Sequence, residues 1–270
     1  MGQALESFKK TKLGGPGPEA FLPREMPLQH LALPGEDQVH VWFLDLRSLM
    51  GSLQHALSGE ADQDGSVQGD SPAGPALSVE QLRFARRFYL RLLLGGYLDV
   101  PGKDVIINRS NRGKPVLDTS VHSSSLQFSM AKSEGHLLVG VSASRQVGVD
   151  LEPAWRKAKS PLRLAKRYFS PAEYRALQAL PERRHDEAFL RAWAINEAVV
   201  KASGLGIANQ LCRFTLEMDP DKPPAVLDIE KDTAADWFVS LLRPSQDFIG
   251  AVASRNPQTE LACFQLLPSR

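Results

Sequence analysis

Asp150 and Glu152 stand two apart in the apolar run Val147-Gly148-Val149-Asp150-Leu151-Glu152-Pro153. Side chains alternate across a strand, so this spacing sends both carboxylates to one face while Val149 and Leu151 leave from the other and can pack into a core. Carboxylates held that close repel, and one pKa rises unless a cation sits between them; a hard divalent ion with oxygen ligands is the usual partner. A solvated strand face has the same pattern. A third carboxylate and a cation, Glu197 and Lys201, lie four apart in WAINEAVVKASGLG, which puts them on one side of a helix. Taken alone they are a surface pair worth ~0.3 kcal/mol.

The elements that must position these groups follow from pattern. Val39 to Leu46 reads as a first strand, and the Gly, Ser, Asp and Gln stretch from there to Ala76 reads as a loop. Ser78, with Gln81 at the capping-box place, opens a helix that stops near Gly95-Gly96. Its arginines, Arg83, Arg86, Arg87 and Arg91, form the solvated side. Val105 to Asn108 is a short strand, and Arg109 to Pro115 a basic turn in which Gly113 lets backbone and the Lys114 ammonium approach an anion together. Leu126 to Ala143 is a hairpin turning at Lys132-Ser133-Glu134-Gly135. After the acidic strand, Ser160-Pro161 and Ser170-Pro171 start two helices, and Pro181 opens a third that ends at Gly204 with Phe189, Trp193, Asn196 and Val200 on its apolar stripe. The rest reads as strands.

Two α+β halves result, without a residue-level repeat. The expected division is a loosely held Gly- and Pro-rich arm over 1–37, an N-terminal half over 38–145 and a C-terminal half over 146–270 that carries the acidic groups, with a ligand cleft between the halves. Composition fits one or two globular domains in 270 residues, 43% apolar and 23% charged. A net charge of +1 supplies no field for nucleic acid or an anionic membrane, so a small phosphorylated ligand is the better match. No stretch is long and apolar enough to span a bilayer. Cys212 and Cys263 lack zinc-site spacing and are read as thiols of a reducing compartment, the cytoplasm.

Taken together, GVDLEP, AKRYFSPAEYRAL and WAINEAVVKASGLG, with Gly113-Lys114-Pro115 and FSMAKSEG upstream, resemble the motifs of the 4′-phosphopantetheinyl transferases of the Sfp type. The resemblance implies a pseudo-dimer of two similar α+β halves with coenzyme A, the co-substrate, in the cleft between them. It also implies Mg²⁺ held by Asp150, Glu152 and Glu197, and transfer of 4′-phosphopantetheine to a serine of an acyl or peptidyl carrier protein with release of 3′,5′-ADP. Glu197 or Glu152 would take the serine proton, and Lys201 would face the pyrophosphate. Lys114, Pro115 and Lys132 would lie along coenzyme A. An internal pseudo-dimer needs no second copy to complete its cleft, so a monomer is expected.

Departures from the family pattern accompany these matches. The family's first motif lysine is Asn196 here, which would bring a neutral amide to the pyrophosphate or, lying towards the middle of the apolar stripe, serve a buried hydrogen bond. The family's Ser-His pair is Ala131-Lys132. The segment 56–76, where the family has a basic pair, contains neither Lys nor Arg, which leaves Arg83 or Arg86 to substitute at the adenylate end. These changes motivate an alternative, a non-catalytic regulator that binds carrier protein or coenzyme A.

Overall fold

The computed structural model describes residues 20–58, 77–204 and 211–268, with backbone alone for 54–58. In chain order it contains β1 (Leu22–Glu25), β2 (Gln38–Asp45), α1 (Leu46–Ser58) and α2 (Val79–Leu98). A ribbon of β3 (Ile107–Arg109) and β4 (Pro115–Leu117) precedes the hairpin of β5 (Gln127–Ser133) and β6 (His136–Ser142). Then come β7 (Val147–Pro153), α3 (Pro161–Tyr168), α4 (Pro171–Ala179) and α5 (His185–Ser203). A second ribbon, β8 (Phe214–Leu216) and β9 (Val226–Ile229), leads to β10 (Phe238–Ser245), β11 (Phe248–Ser254) and β12 (Glu260–Leu267). The fold is mixed α+β.

Five strands form one sheet in the order β1-β12-β2-β6-β5, and three form another in the order β10-β11-β7. Each sheet covers a helix with one face. Trp42, Leu44, Leu137 and Val139 of the larger sheet pack on Tyr89, Leu93 and Leu94 of α2, and Val239, Ala251 and Ala253 of the smaller sheet pack on Ala194, Ala198 and Ala202 of α5. The opposite faces meet each other: Val41, Phe43 and Leu138 close a third core with Val147, Val149, Leu151 and Val252. The Ser129 hydroxyl of β5 accepts from the Val149 N–H at 3.2 Å, which ties the larger sheet to the acidic strand.

Several elements differ from the expectation. The stretch after β2 is helical, because Leu46, Leu49, Met50 and Leu53 recur at helical spacing against the first core; low average hydropathy hid that period. Asp45 receives the Arg47 and Ser48 N–H groups at 3.0 and 3.3 Å, the role of an N-cap. Residues 59–76 of the expected loop lie outside the described residues. Helix α2 runs through Gly95 and Gly96 to an αL cap at Asp99. A Cβ on Gly96 would stand 2.8 Å from the Leu28 carbonyl, so this glycine marks a close approach and not a stop. The third helix begins at His185, after a 3₁₀ turn at Glu182–Arg184.

The arm expected over 1–37 does not describe Leu22–Glu25, which pairs parallel with β12. All four residues are exposed, and an edge strand held by backbone hydrogen bonds leaves no burial pattern in the sequence. The division at 146 does not describe β12, which lies parallel to β2 with Cys263 opposite Val41 and so completes the sheet of the first half.

Candidate active site

Strand β7 and helix α5 build the site, and Gly148 sets their distance. A Cβ there would stand 1.9 Å from the Ala198 carbonyl oxygen and 2.5 Å from the Ala202 nitrogen. With no side chain at 148, and with Ala194, Ala198 and Ala202 facing inward, the α5 backbone lies directly on β7. Gly204 closes α5 in the αL conformation, φ 66°. The expected helical face is thereby laid beside the expected strand face.

The Lys201 ammonium donates to Asp150 Oδ1 at 2.7 Å and to the Val149 carbonyl at 3.1 Å, and it stands 3.9 Å from Glu197 Oε2. Glu152 is engaged by the guanidinium of Arg156. Burial raises the pKa of both Glu152 and Glu197. Asp150 adds to the rise at each, Arg156 and the Trp193 indole oppose it at Glu152, and Lys201 opposes it at Glu197. Asp150, Glu152 and Glu197 line one cleft of about 560 Å³, with Lys132 and Glu134 of the β5–β6 turn, Trp155 and Trp193 also on its walls. Three carboxylates and two lysines are thus brought together.

Other expected residues lie elsewhere. Arg83 is exposed on α2 and is not on the cleft wall. Pro115 is half-buried at the start of β4. The Lys114 ammonium turns inward, donating to the Lys201 carbonyl at 2.9 Å, the Val147 carbonyl at 3.1 Å and Gln146 Oε1 at 3.1 Å. It joins the last turn of α5 to the first residue of β7, and burial lowers its pKa to about 8. Lys114→Met leaves these acceptors without that donor and is expected to cost about 2 kcal/mol, a fall in Tm of roughly 5 °C by calorimetry.

Asn196 is fully buried and faces away from the cleft. Its Nδ2 donates to Glu173 Oε1 at 3.3 Å, while its Oδ1 has no partner among the described residues. Glu173 also receives the Ser170 and Leu216 N–H groups. Of the two roles open to Asn196, the structure shows the buried hydrogen bond.

Burial lifts Glu173 from an ordinary 4.5 to about 7. The folded chain therefore binds an extra proton between those pH values, and stability falls as pH rises across them. The loss is on the order of 2–3 kcal/mol. Asn196→Lys is expected to pair Glu173, hold it ionised and flatten that slope. Unfolding free energies in urea at about pH 5 and about pH 7.5 check this.

Arg156 and Trp155 were not singled out in the sequence. Both follow the acidic strand directly, in a turn where the Arg156 N–H donates to the Pro153 carbonyl at 3.0 Å. A basic residue just past a D-x-E strand was the available signal.

Among the described residues no three His, Cys, Asp or Glu side chains are grouped to hold a metal ion as they stand; Lys201 pairs with Asp150 and Arg156 with Glu152. The donor set still suits a hard cation: three carboxylates face one cleft, and Asp150 Oδ2 is buried without a partner. Coordination would need the two basic side chains to yield.

This arrangement, acids and lysines around one cleft between two sheets, belongs to the class of sites that can hold a cation together with a phosphate ester. The family model described as the 4′-phosphopantetheinyl transferase superfamily matches residues 146–253. The 4′-phosphopantetheinyl transferase HetI of Nostoc sp. is 34% identical over 248 residues, 84% of this chain and 94% of that protein. The 4′-phosphopantetheinyl transferase psf-1 of Bacillus pumilus is 30% identical over 161 residues, 54% of this chain and 66% of that one. Among solved structures, Thermotoga maritima holo-[acyl-carrier-protein] synthase is similar over 40% of this chain and 61% of that one, at 24% identity and a TM-score of 0.30. The chain belongs to the 4′-phosphopantetheinyl transferase superfamily. Among the described residues no helix is long and apolar enough to cross a membrane.

Proposed function

We propose that the protein transfers 4′-phosphopantetheine from coenzyme A to a serine of an acyl or peptidyl carrier protein, leaving 3′,5′-ADP. The observation that carries this reading is the convergence of Asp150, Glu152 and Glu197 on one cleft with Lys132 on its wall and the Lys201 ammonium against Asp150 and Glu197, in a chain of this family. The larger and smaller sheets, each with its helix, are read as the two halves of a pseudo-dimer, and the cleft as its coenzyme site.

Asp150, Glu152 and Glu197 would hold Mg²⁺, which supplies charge neutralisation at the pyrophosphate when bound. Lys201 already pairs with Asp150 and stands beside Glu197, and its ammonium would turn from Asp150 to a phosphate oxygen. Glu152 or Glu197 would accept the proton of an attacking serine hydroxyl. The pantetheine-bearing phosphorus gains the bond to serine oxygen as the bond to the ADP oxygen breaks. Lys132, exposed on the wall of the cleft, is free to meet the 3′-phosphate as a point charge.

The decisive experiment incubates the protein with coenzyme A, Mg²⁺ and several apo-carriers and weighs the carriers. A gain of one phosphopantetheine mass is expected on at least one of them. Carriers that gain no mass, yet bind the protein, would favour the regulator reading.

A further inference from the structure

We propose that Arg156 is a latch on Glu152, holding in the resting protein the carboxylate that a divalent ion would take and releasing it when the ion binds. The inference rests on the reading of function above. Arg156 is 54% exposed at its side chain whereas Glu152 is 10% exposed, so the carboxylate is fixed in the cleft and the arginine is the member able to leave.

The comparison with Lys201 is informative. Lys201 also occupies a carboxylate, but it is 21% exposed, rises from α5 and is anchored on the Val149 carbonyl. Arg156 has no such second anchor: among the described residues Glu152 is the one partner of its guanidinium. Beside it lies a groove of about 470 Å³ whose wall includes Lys157, Lys159 and Arg163 over Tyr168 and Phe189, and Arg156 belongs to both that groove and the carboxylate cleft. The guanidinium is the half-exposed member, so on opening it returns to water. When it opens, Glu152 Oε2 becomes available in the cleft where Asp150 Oδ2 already lacks a partner.

The test is Mg²⁺ alone, titrated calorimetrically into the full chain and into Arg156→Ala, Arg156→Lys, Glu152→Gln and the Glu152→Gln/Arg156→Ala double variant. Arg156→Ala is expected to bind Mg²⁺ on the order of three- to tenfold more tightly than wild type. Arg156→Lys should fall between the two. In the Glu152→Gln background the loss of Arg156 should change nothing, because the pair being tested is already gone.

Equal tightening in both backgrounds would mean a general field effect and would overturn the latch. So would unchanged, weaker or unmeasurable binding in Arg156→Ala with an unaltered Tm. Carrier loading by the wild type separates the two levels of the argument. A wild type that loads carrier, with an Arg156→Ala variant that gains no Mg²⁺ affinity, refutes the latch alone; a wild type that loads no carrier refutes the function on which it rests.

Discussion

Asp150→Asn is expected to lower phosphopantetheine transfer by about a hundredfold or more while the melting temperature stays near that of the wild type. The substitution keeps shape and an acceptor for the Lys201 ammonium, now 2.7 Å from Oδ1, but removes one of the three charges a cation would meet. A neutral amide oxygen is a much poorer ligand than a carboxylate for a hard divalent ion. The effect on folding is small because two terms oppose each other. Lys201 loses its nearest counter-charge, yet Asp150 also raises the pKa of both Glu152 and Glu197, so its removal relieves repulsion that the folded chain now tolerates. Carrier mass at fixed time and a thermal melt on the same sample give both quantities. Near-normal turnover in Asp150→Asn at moderate Mg²⁺ would show that the cleft is misassigned.

How much of this was legible depends on how local each signal is. The period-two placement of Asp150 and Glu152 and the helix starts at Ser160-Pro161 and Ser170-Pro171 are decided by neighbours in sequence, and the structure has them as read. Helix α1 was equally local, but its signal is the spacing of Leu46, Leu49, Met50 and Leu53, which average polarity obscures. Strand β12 alternates in a way that suits either sheet. Its choice of β2 depends on residues more than two hundred positions away, which no window reads.

The site shows the same contrast. Glu197 and Lys201 are one turn apart, so a helix predicts their contact. Lys114 looked like an anion ligand because a lysine after a glycine in a basic turn is usually open to solvent, and only the tertiary fold places carbonyls of two other elements within reach of it. Asn196 was readable in part: a polar residue inside an apolar stripe must find a buried partner. That the partner is Glu173, from the preceding helix, required the packing of α4 against α5.

Gly148→Ala is expected to be the most damaging glycine-to-alanine change among the described residues. The added carbon would stand 1.9 Å from the Ala198 carbonyl oxygen and 2.5 Å from the Ala202 nitrogen, and both are backbone atoms of a helix that cannot swing aside as a side chain can. Helix α5 must therefore retreat from β7 by roughly an ångström or more, opening the core around Ala194, Ala198 and Ala202 that is now buried. Overpacking of this kind costs about 3 kcal/mol, the upper end of its usual range, which corresponds to a fall in Tm on the order of 10 °C. The same retreat carries Glu197 and Lys201 away from Asp150, and misplacement by ~1 Å is enough to reduce a phosphoryl transfer about a hundredfold. Transfer should accordingly be measured well below the lowered Tm, where the variant is still folded. Gly51→Ala is the matched control: a Cβ at Gly51 meets nothing within 4 Å, so in helix α1 the change should be neutral or raise stability by roughly 0.5–1 kcal/mol. A Gly148→Ala variant that melts with the wild type and loads carrier at the wild-type rate would mean that α5 does not rest on β7, and the convergence of the three carboxylates would lose its structural basis.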